Sequence, residues 1–382
     1  MTKLESINAE RINWCCDDRG ISLRELAMAL HFSWDFLQET LAQRKGLTFN
    51  QLRKIANYFD RSTLFFLEAG PVSAEKVHSP QFRTIANQKP TISPKIRGIV
   101  ERVEKQRDVY LSLQEAIDDT DAPRFDPPTL ATMSVQQAAR VTREWVGLAT
   151  ANDFASYRRA VESKGVLVFR SNGYSGAWQI PKTDPVCGFT VYDPRCPVIV
   201  VKKMPAETRQ VFTLMHELGH VLLDRSSFID DAEDLYSYQG RERIANAFAG
   251  LLLVPDEKLN EVDDNAKPRD VSQYDEWLKT LSRELGVSPE VVLRRLLDSG
   301  RIDQESYEDY RNWRAKQPIP AEAKGSRQYR HREPKHVFGD AYVSVVLDAL
   351  HAKQITLTKA STFLDNLKIS DLRRLESFYA GV

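Results

Sequence analysis

The sequence predicts a mostly helical α+β chain: an N-terminal helix-turn-helix bundle, a second domain built around a small sheet, and a helical C-terminal segment. Three observations carry this. Apolar residues recur at helical spacing through residues 1–70 and again after Pro205. Short β-rich runs fall at 166–169, 186–192 and 197–202. Stretches rich in proline and polar residues separate the parts.

Within 1–70, a first helix is expected over 4–17, with Ile7, Arg11, Ile12 and Trp14 in a loose period before Gly20 breaks it. Ser22 and Glu25 form a capping-box pattern ahead of Leu23, Leu26, Ala27 and Leu30. His31-Phe32-Ser33 leads into a helix over 34–42, which Gly46 stops. Thr48 caps the next, with Leu52, Ile55, Ala56 and Phe59 on one face. Short helices joined by three-residue turns describe a helix-turn-helix module.

Residues 71–128 read as a basic linker and helix. Pro71, Pro80, Pro90 and Pro94 punctuate it, a helix is expected over 94–117, and TDAPRFDPP at 120–128 is a linker. The second domain spans 129–315. It opens with helices over 134–146 and 152–164, and Gly165 ends the latter. VLVF at 166–169 is a buried strand. Residues 186–192 and 197–202 form a hairpin across Asp193-Pro194-Arg195-Cys196. Helices follow over 206–223 and 240–253, the latter stopped by Pro255, and recur to residue 315. Residues 316–382 comprise a basic loop, 316–336, and helices over 341–350, 357–367 and 369–380.

A length of 382 residues suits two to three domains. Lys+Arg and Asp+Glu both number 53, so the chain as a whole is no polycation and nucleic-acid binding has to be local. Cys15, Cys16, Cys187 and Cys196 form no C-x-x-C pair, although Cys187 and Cys196 flank the hairpin. They are expected to be small core thiols in a reducing compartment. No run approaches the ~18 apolar residues of a membrane span, and MTKLESINAERINW has no signal-peptide pattern, so the cytoplasm is the expected location.

The chemistry concentrates in TLMHELGHVLLD. Residues four apart on a helix share a face, with Cβ atoms roughly 5–6 Å apart. That lets His216 and His220 meet one Zn²⁺ at about 2.0–2.1 Å. Glu217 is then placed to take a proton from a water whose pKa the zinc lowers to about 7. Val211, Leu214, Met215, Leu218 and Leu222 give the helix a buried back, with the polar triad towards the other side. Catalytic zinc takes three protein ligands. The acidic candidates downstream are Asp230, Asp231, Glu233, Asp234 and Glu242. The first four fall in an expected loop, FIDDAEDLYS. Glu242 opens the helix RERIANAFAGLLLVP, which would hold a carboxylate rigidly, so a His₂Glu site of His216, His220 and Glu242 is the preferred set. Asn246, one turn on, is placed to support either histidine by a hydrogen bond.

These residues resemble the ImmA/IrrE family of metallopeptidases. VIVVKKMPAETRQVFTLMHELGHVLLD looks like its strand-then-FTLxHELGHxxL signature, and ERIANAFAGLLLVP looks like its E-x-x-A-N-x-F-A-x-x-L-L-x-P signature. The resemblance implies a zincin-like metallopeptidase domain, one Zn²⁺ per chain on His216, His220 and Glu242, and Glu217 as general base. Many members carry a second acidic residue where this chain has Ile244. SLRELAMALHFSWDFLQETLAQRKGLTFNQLRKIANYFDRSTLFFLE resembles helix-turn-helix modules of the XRE class, and VFGDAYVSVVLDALHAKQITLTKASTFLDNLKISDLRRLE resembles the tail of such fusions. The fusion implies limited cleavage of a protein substrate, such as a repressor encoded nearby, in stress response or mobile-element control. The alternatives are a DNA-binding transcriptional regulator or antitoxin-like protein whose peptidase domain senses a signal or is inert. The oligomeric state is open.

For DNA, the recognition helix would begin at Ser33 and Trp34 and present Gln38 to a base edge, with Arg44 and Lys45 on phosphates. Against this, residues 1–70 hold nine Lys/Arg and nine Asp/Glu, and Asp35 and Glu39 lie on the recognition helix itself. The basic stretch 76–107 offers further phosphate contacts. Tyr174 and Trp178 are candidates to line a substrate groove, and the strand at 197–202 is a candidate edge for an extended peptide. Tyr236, Tyr238, Arg241, His331 and His336 are candidate donors to a transition-state oxyanion.

Overall fold

The computed structural model describes residues 4, 7–59, 61–72, 93–173, 176–231, 240–318 and 327–381. The chain divides into two compact units, Met1–Glu101 and Arg102–Val382. Among the described residues, no helix is long and apolar enough to cross a membrane.

In the first unit, α1 (Ala9–Arg19), α2 (Leu23–Leu30), α3 (Trp34–Leu41) and α4 (Phe49–Tyr58) surround Ile12, Cys15, Cys16, Leu26, Leu37, Leu52, Ile55 and Phe66. The first helix is shifted from the expected 4–17. Asn8 caps it by accepting from the Arg11 N–H, and Gly20 ends it in a left-handed turn. Ser22 with Glu25 and Thr48 with Gln51 form reciprocal capping boxes, and Ser33 caps α3. Glu101 accepts from Arg19 at 3.1 Å and from Arg61 at 2.8 Å, tying the start of the helix Pro94–Ala116 to this bundle.

The second unit is mostly helical around one four-stranded sheet. Its strands are β1 (Leu167–Arg170), β2 (Val186–Val191), β3 (Val198–Val201) and β4 (Phe228–Asp231), in the order β1-β3-β2-β4. β1 and β3 are parallel, β2 and β3 form the expected antiparallel hairpin, and β2 and β4 are antiparallel. Two expectations are corrected here. The segment FIDD is a strand rather than a loop, because Phe228 and Ile229 are buried and the backbone pairs with β2. β3 is interior, with both edges paired, so it offers no edge to a peptide.

The sheet and two helices share a core: Val168, Ile199 and Val201 face Val211, Leu214, Met215 and Leu218 of Glu207–Gly219, and Phe248 and Leu252 of Gly240–Leu253. The helix Glu333–His351 covers β1, with Phe338 and Tyr342 against Phe169 at 5.5 and 5.8 Å between ring centres. Trp178 packs edge-on to Phe338 at 5.0 Å and is buried, so it is core rather than groove. Tyr174 lies outside the described residues. The expected loop 316–336 ends early: Arg327–Arg332 is a 3-10 turn and helix resumes at Glu333. All four cysteines are free and buried, and burial pushes Cys15, Cys16 and Cys196 up to about 12.

Candidate active site

The helix Glu207–Gly219 brings His216 and Glu217 beneath the sheet. Its α-helical period ends at His220, where the chain widens into a π turn, His220–Asp224, closed by the Arg225 N–H on the His220 carbonyl. The expectation of one helix over 206–223 therefore misses a change of pitch. The wider turn sets Asp224 beside His220, whose Nδ1 lies 2.8 Å from Asp224 Oδ2. A carboxylate on one nitrogen of an imidazole fixes the other as the free ligand nitrogen. The Phe228 ring stacks on His220 with centres 4.4 Å apart.

The helix Gly240–Leu253 crosses closely at Gly219, where even a methyl group would sit 3.2 Å from Phe248 Cδ1. This approach carries Glu242 to the histidines. Glu242 Oε2 is 3.3 Å from His216 Nε2 and 3.4 Å from His220 Nε2. Asp230 Oδ2, from β4, is 3.4 Å from each of the same two nitrogens. The nitrogens are themselves 3.2 Å apart. His216, His220, Asp230 and Glu242 thus bring four ligand atoms within 4.8 Å of one another, a donor set that could hold a metal ion. Asp230 Oδ2 and Glu242 Oε2 are buried acceptors with no hydrogen-bond partner, a costly state that a cation at this point would relieve.

Glu217 is fully buried beside the cluster. Its Oε2 accepts from Thr190 Oγ1 at 2.8 Å, and its Oε1 has no hydrogen-bond partner. Gly188 on β2 leaves room for that oxygen: a Cβ there would lie 2.5 Å from it. Burial, then the charge of Asp230, pushes the Glu217 carboxyl well above the usual range. Burial opposes the charge on Asp230 and on His220, but their mutual contacts outweigh it. The Asp230 carboxyl is held far below its usual range, and His220, also facing Asp224 and Glu242, is pushed up to about 12.

Of the residues expected at the site, the structure brings together His216, His220 and Glu242, with Glu217 on the same helix as His216. Asn246 sits one turn on from Glu242, half-buried. Arg241 reaches the rim, 3.9 Å from Asp224 and with its guanidinium 5.8 Å from the Phe228 ring centre. His336 is bound to Arg170 at β1, the opposite edge of the sheet from β4, and His331 packs near Phe378. Neither is placed as an oxyanion donor. Tyr236 and Tyr238, with Glu233 and Asp234, lie outside the described residues. Thr190, Asp224 and Asp230 complete the site. Asp224 was signalled by its place four residues after His220.

On the first unit, Ser33 caps α3, and Gln38 and Arg44 are exposed. Trp34 lies half-buried under Arg24, 5.3 Å from its ring centre. Lys45 is bound to Glu39 at 3.1 Å.

Residues 179–297 match the family model of the IrrE N-terminal-like domain, Peptidase_M78. The matched span holds β2, β3, β4 and both helices of the site. No curated protein matches the chain. Fold, cluster and match define a metallopeptidase-type domain within a mostly helical α+β chain.

Proposed function

We propose that the chain is a cytoplasmic, zinc-dependent endopeptidase that makes a limited cut in a protein partner, such as a transcriptional repressor. The observation that carries this is the buried Glu217 carboxylate, with one oxygen unpaired, beside four convergent ligand atoms. His216, His220 and Glu242 would hold the metal, with Asp224 fixing the His220 ring. A bound zinc supplies a Lewis acid for the scissile carbonyl and brings a water's pKa to about 7.

The chain's own groups do the rest. Thr190 anchors one oxygen of Glu217 and so aims the other, Oε1, to accept a proton from water and return it to the leaving amine. Burial and the Asp230 charge raise this carboxyl above its usual range, which favours its holding a proton once taken. Arg241 at the rim is the described candidate to face the oxyanion. Two imidazoles with carboxylate oxygens are a donor set that suits zinc.

The test is metal analysis of the purified chain, followed by co-expression with products of neighbouring genes. We expect one zinc per chain and a partner that is cut by the native protein but survives intact with Glu217→Gln. Loss of cleavage with zinc retained supports the reading; cleavage by Glu217→Gln would sink it.

A second reading is a DNA-binding regulator of the XRE helix-turn-helix type with an inert peptidase domain. The exposed Gln38 and Arg44 on and after α3 favour DNA. The Lys45–Glu39 pair removes one cation from residues 1–70, whose nine Lys/Arg are matched by nine Asp/Glu and leave no net charge to offer phosphate. Gel-shift titration decides: binding through this face weakens steeply with salt, and Gln38→Ala relaxes its sequence preference.

A further inference from the structure

We propose that Asp230 is a fourth protein ligand, which closes the metal site in the resting chain and has to leave before a water can take its place. This rests on the metal-site reading above and adds a latent state to it.

The distances carry the inference. A metal bound at about 2.0–2.1 Å by four atoms at tetrahedral corners sets those atoms roughly 3.3–3.4 Å apart. His216 Nε2 to His220 Nε2 is 3.2 Å, and Asp230 Oδ2 lies 3.4 Å from each nitrogen. Glu242 Oε2 lies 3.3 and 3.4 Å from the same nitrogens. Asp230 is therefore placed as well as Glu242, with its Oδ2 buried and given no hydrogen bond. A set of His₂Glu alone leaves one corner open for catalysis, whereas four protein ligands make a closed, structural geometry.

Charge points the same way. Two neutral imidazoles and two carboxylates sum to −2 and cancel a divalent cation, so the filled site has no excess charge to polarise a substrate carbonyl. Removing one carboxylate restores a net positive charge.

Placement explains why Asp230 is the ligand that moves. His216, His220 and Glu242 lie on two helices packed through the central core. Asp230 lies on a four-residue strand at the end of the sheet, and its pairing with β2 slips between Val186 and Gly188, next to its own partner. A short, irregular outer strand yields at lower cost than two interlocked helices.

Substitution with Co²⁺ tests this on the full-length chain, since the visible bands of Co²⁺ report ligand number. We expect the native protein to bind one Co²⁺ with intense four-coordinate bands that azide leaves unchanged. Asp230→Ala and Asp230→Asn should bind one Co²⁺, respond to azide, and hold Zn²⁺ more weakly by over about tenfold, the loss that even an outer partner brings. Azide-sensitive bands in the native protein, or equal Zn²⁺ affinity in native and variants, would overturn the fourth-ligand role while leaving the three-ligand site standing. A native chain that binds no metal would overturn both. If a variant fails to melt cooperatively, the azide response of the native protein decides alone.

Discussion

Gly188 has no side chain because a carboxylate occupies the space beside it. Glycine at this β-strand position keeps Glu217 Oε1 from a 2.5 Å clash and Thr213 Cγ2 from one at 2.7 Å. Gly188→Ala should therefore displace Glu217, since the atoms nearest an added Cβ belong to Glu217, Thr213 and Val200 and not to the His216, His220 or Glu242 side chains. We expect peptidase activity to fall by about 10²-fold or more, the scale on which small misplacements act, with zinc content unchanged; equal loss of both would refute this. Thr190 gives a finer probe. Its hydroxyl lowers the Glu217 pKa, against the larger effect of burial. Thr190→Val removes that bond and raises the pKa, so the acid limb of kcat/KM should shift to higher pH. A limb that stays in place or moves down contradicts the contact. Asp224→Asn should keep the fold and weaken zinc binding by about 10- to 100-fold, measured by chelator competition.

At the scale of elements, legibility followed the range of the interactions. His216, Glu217 and His220 are neighbours along one helix, so their common face is set locally by its period. Glu242 was readable because a second apolar helix holds it, and Gly219, between the motif histidines, marks where that helix approaches. Asp230 is harder to place from sequence, because β4 is made by pairing with β2, some forty positions earlier in the chain, which no local period records. The π turn was equally hidden, since VLL continues an α-helical pattern to Asp224. Gly219→Val tests the crossing: it should push the Glu242 helix outward and weaken zinc binding more than it lowers the melting temperature of the metal-free chain. The opposite order would make Gly219 a core residue only.

At the scale of the molecule, the sheet sorts its ionisable groups to opposite edges. The β4 edge carries the acidic cluster with its histidines. At the β1 edge, Arg158 binds the Lys335, His336 and Val337 carbonyls and pairs with Glu162 at 3.0 Å, while Arg170 binds His336 Nδ1. These bonds anchor the C-terminal helix on the sheet. The continuous apolar run of β1 is legible as a buried strand; the polar seam is not, because its partners are carbonyls from a segment read mostly as loop.

The seam has a consequence for stability against acid. Burial, then the charges of Arg170, Lys203 and Arg158, lowers His336 from 6.5 to about 3. The folded chain thus binds fewer protons here than the unfolded chain. Its stabilising contribution is complete above the unfolded pKa of 6.5 and is lost progressively as pH falls towards 3, at no more than about 1.4 kcal/mol per pH unit. His220 runs the other way in the metal-free chain: its pKa is raised, so its contribution is full below 6.5 and is lost only as pH rises towards 12. Comparing the native chain with His336→Gln, which keeps an acceptor for Arg170 and cannot titrate, cancels the His220 contribution. Between pH 7 and 4 the native melting temperature should fall more steeply than that of the variant, and parallel curves would show that His336 does not govern the acid limb.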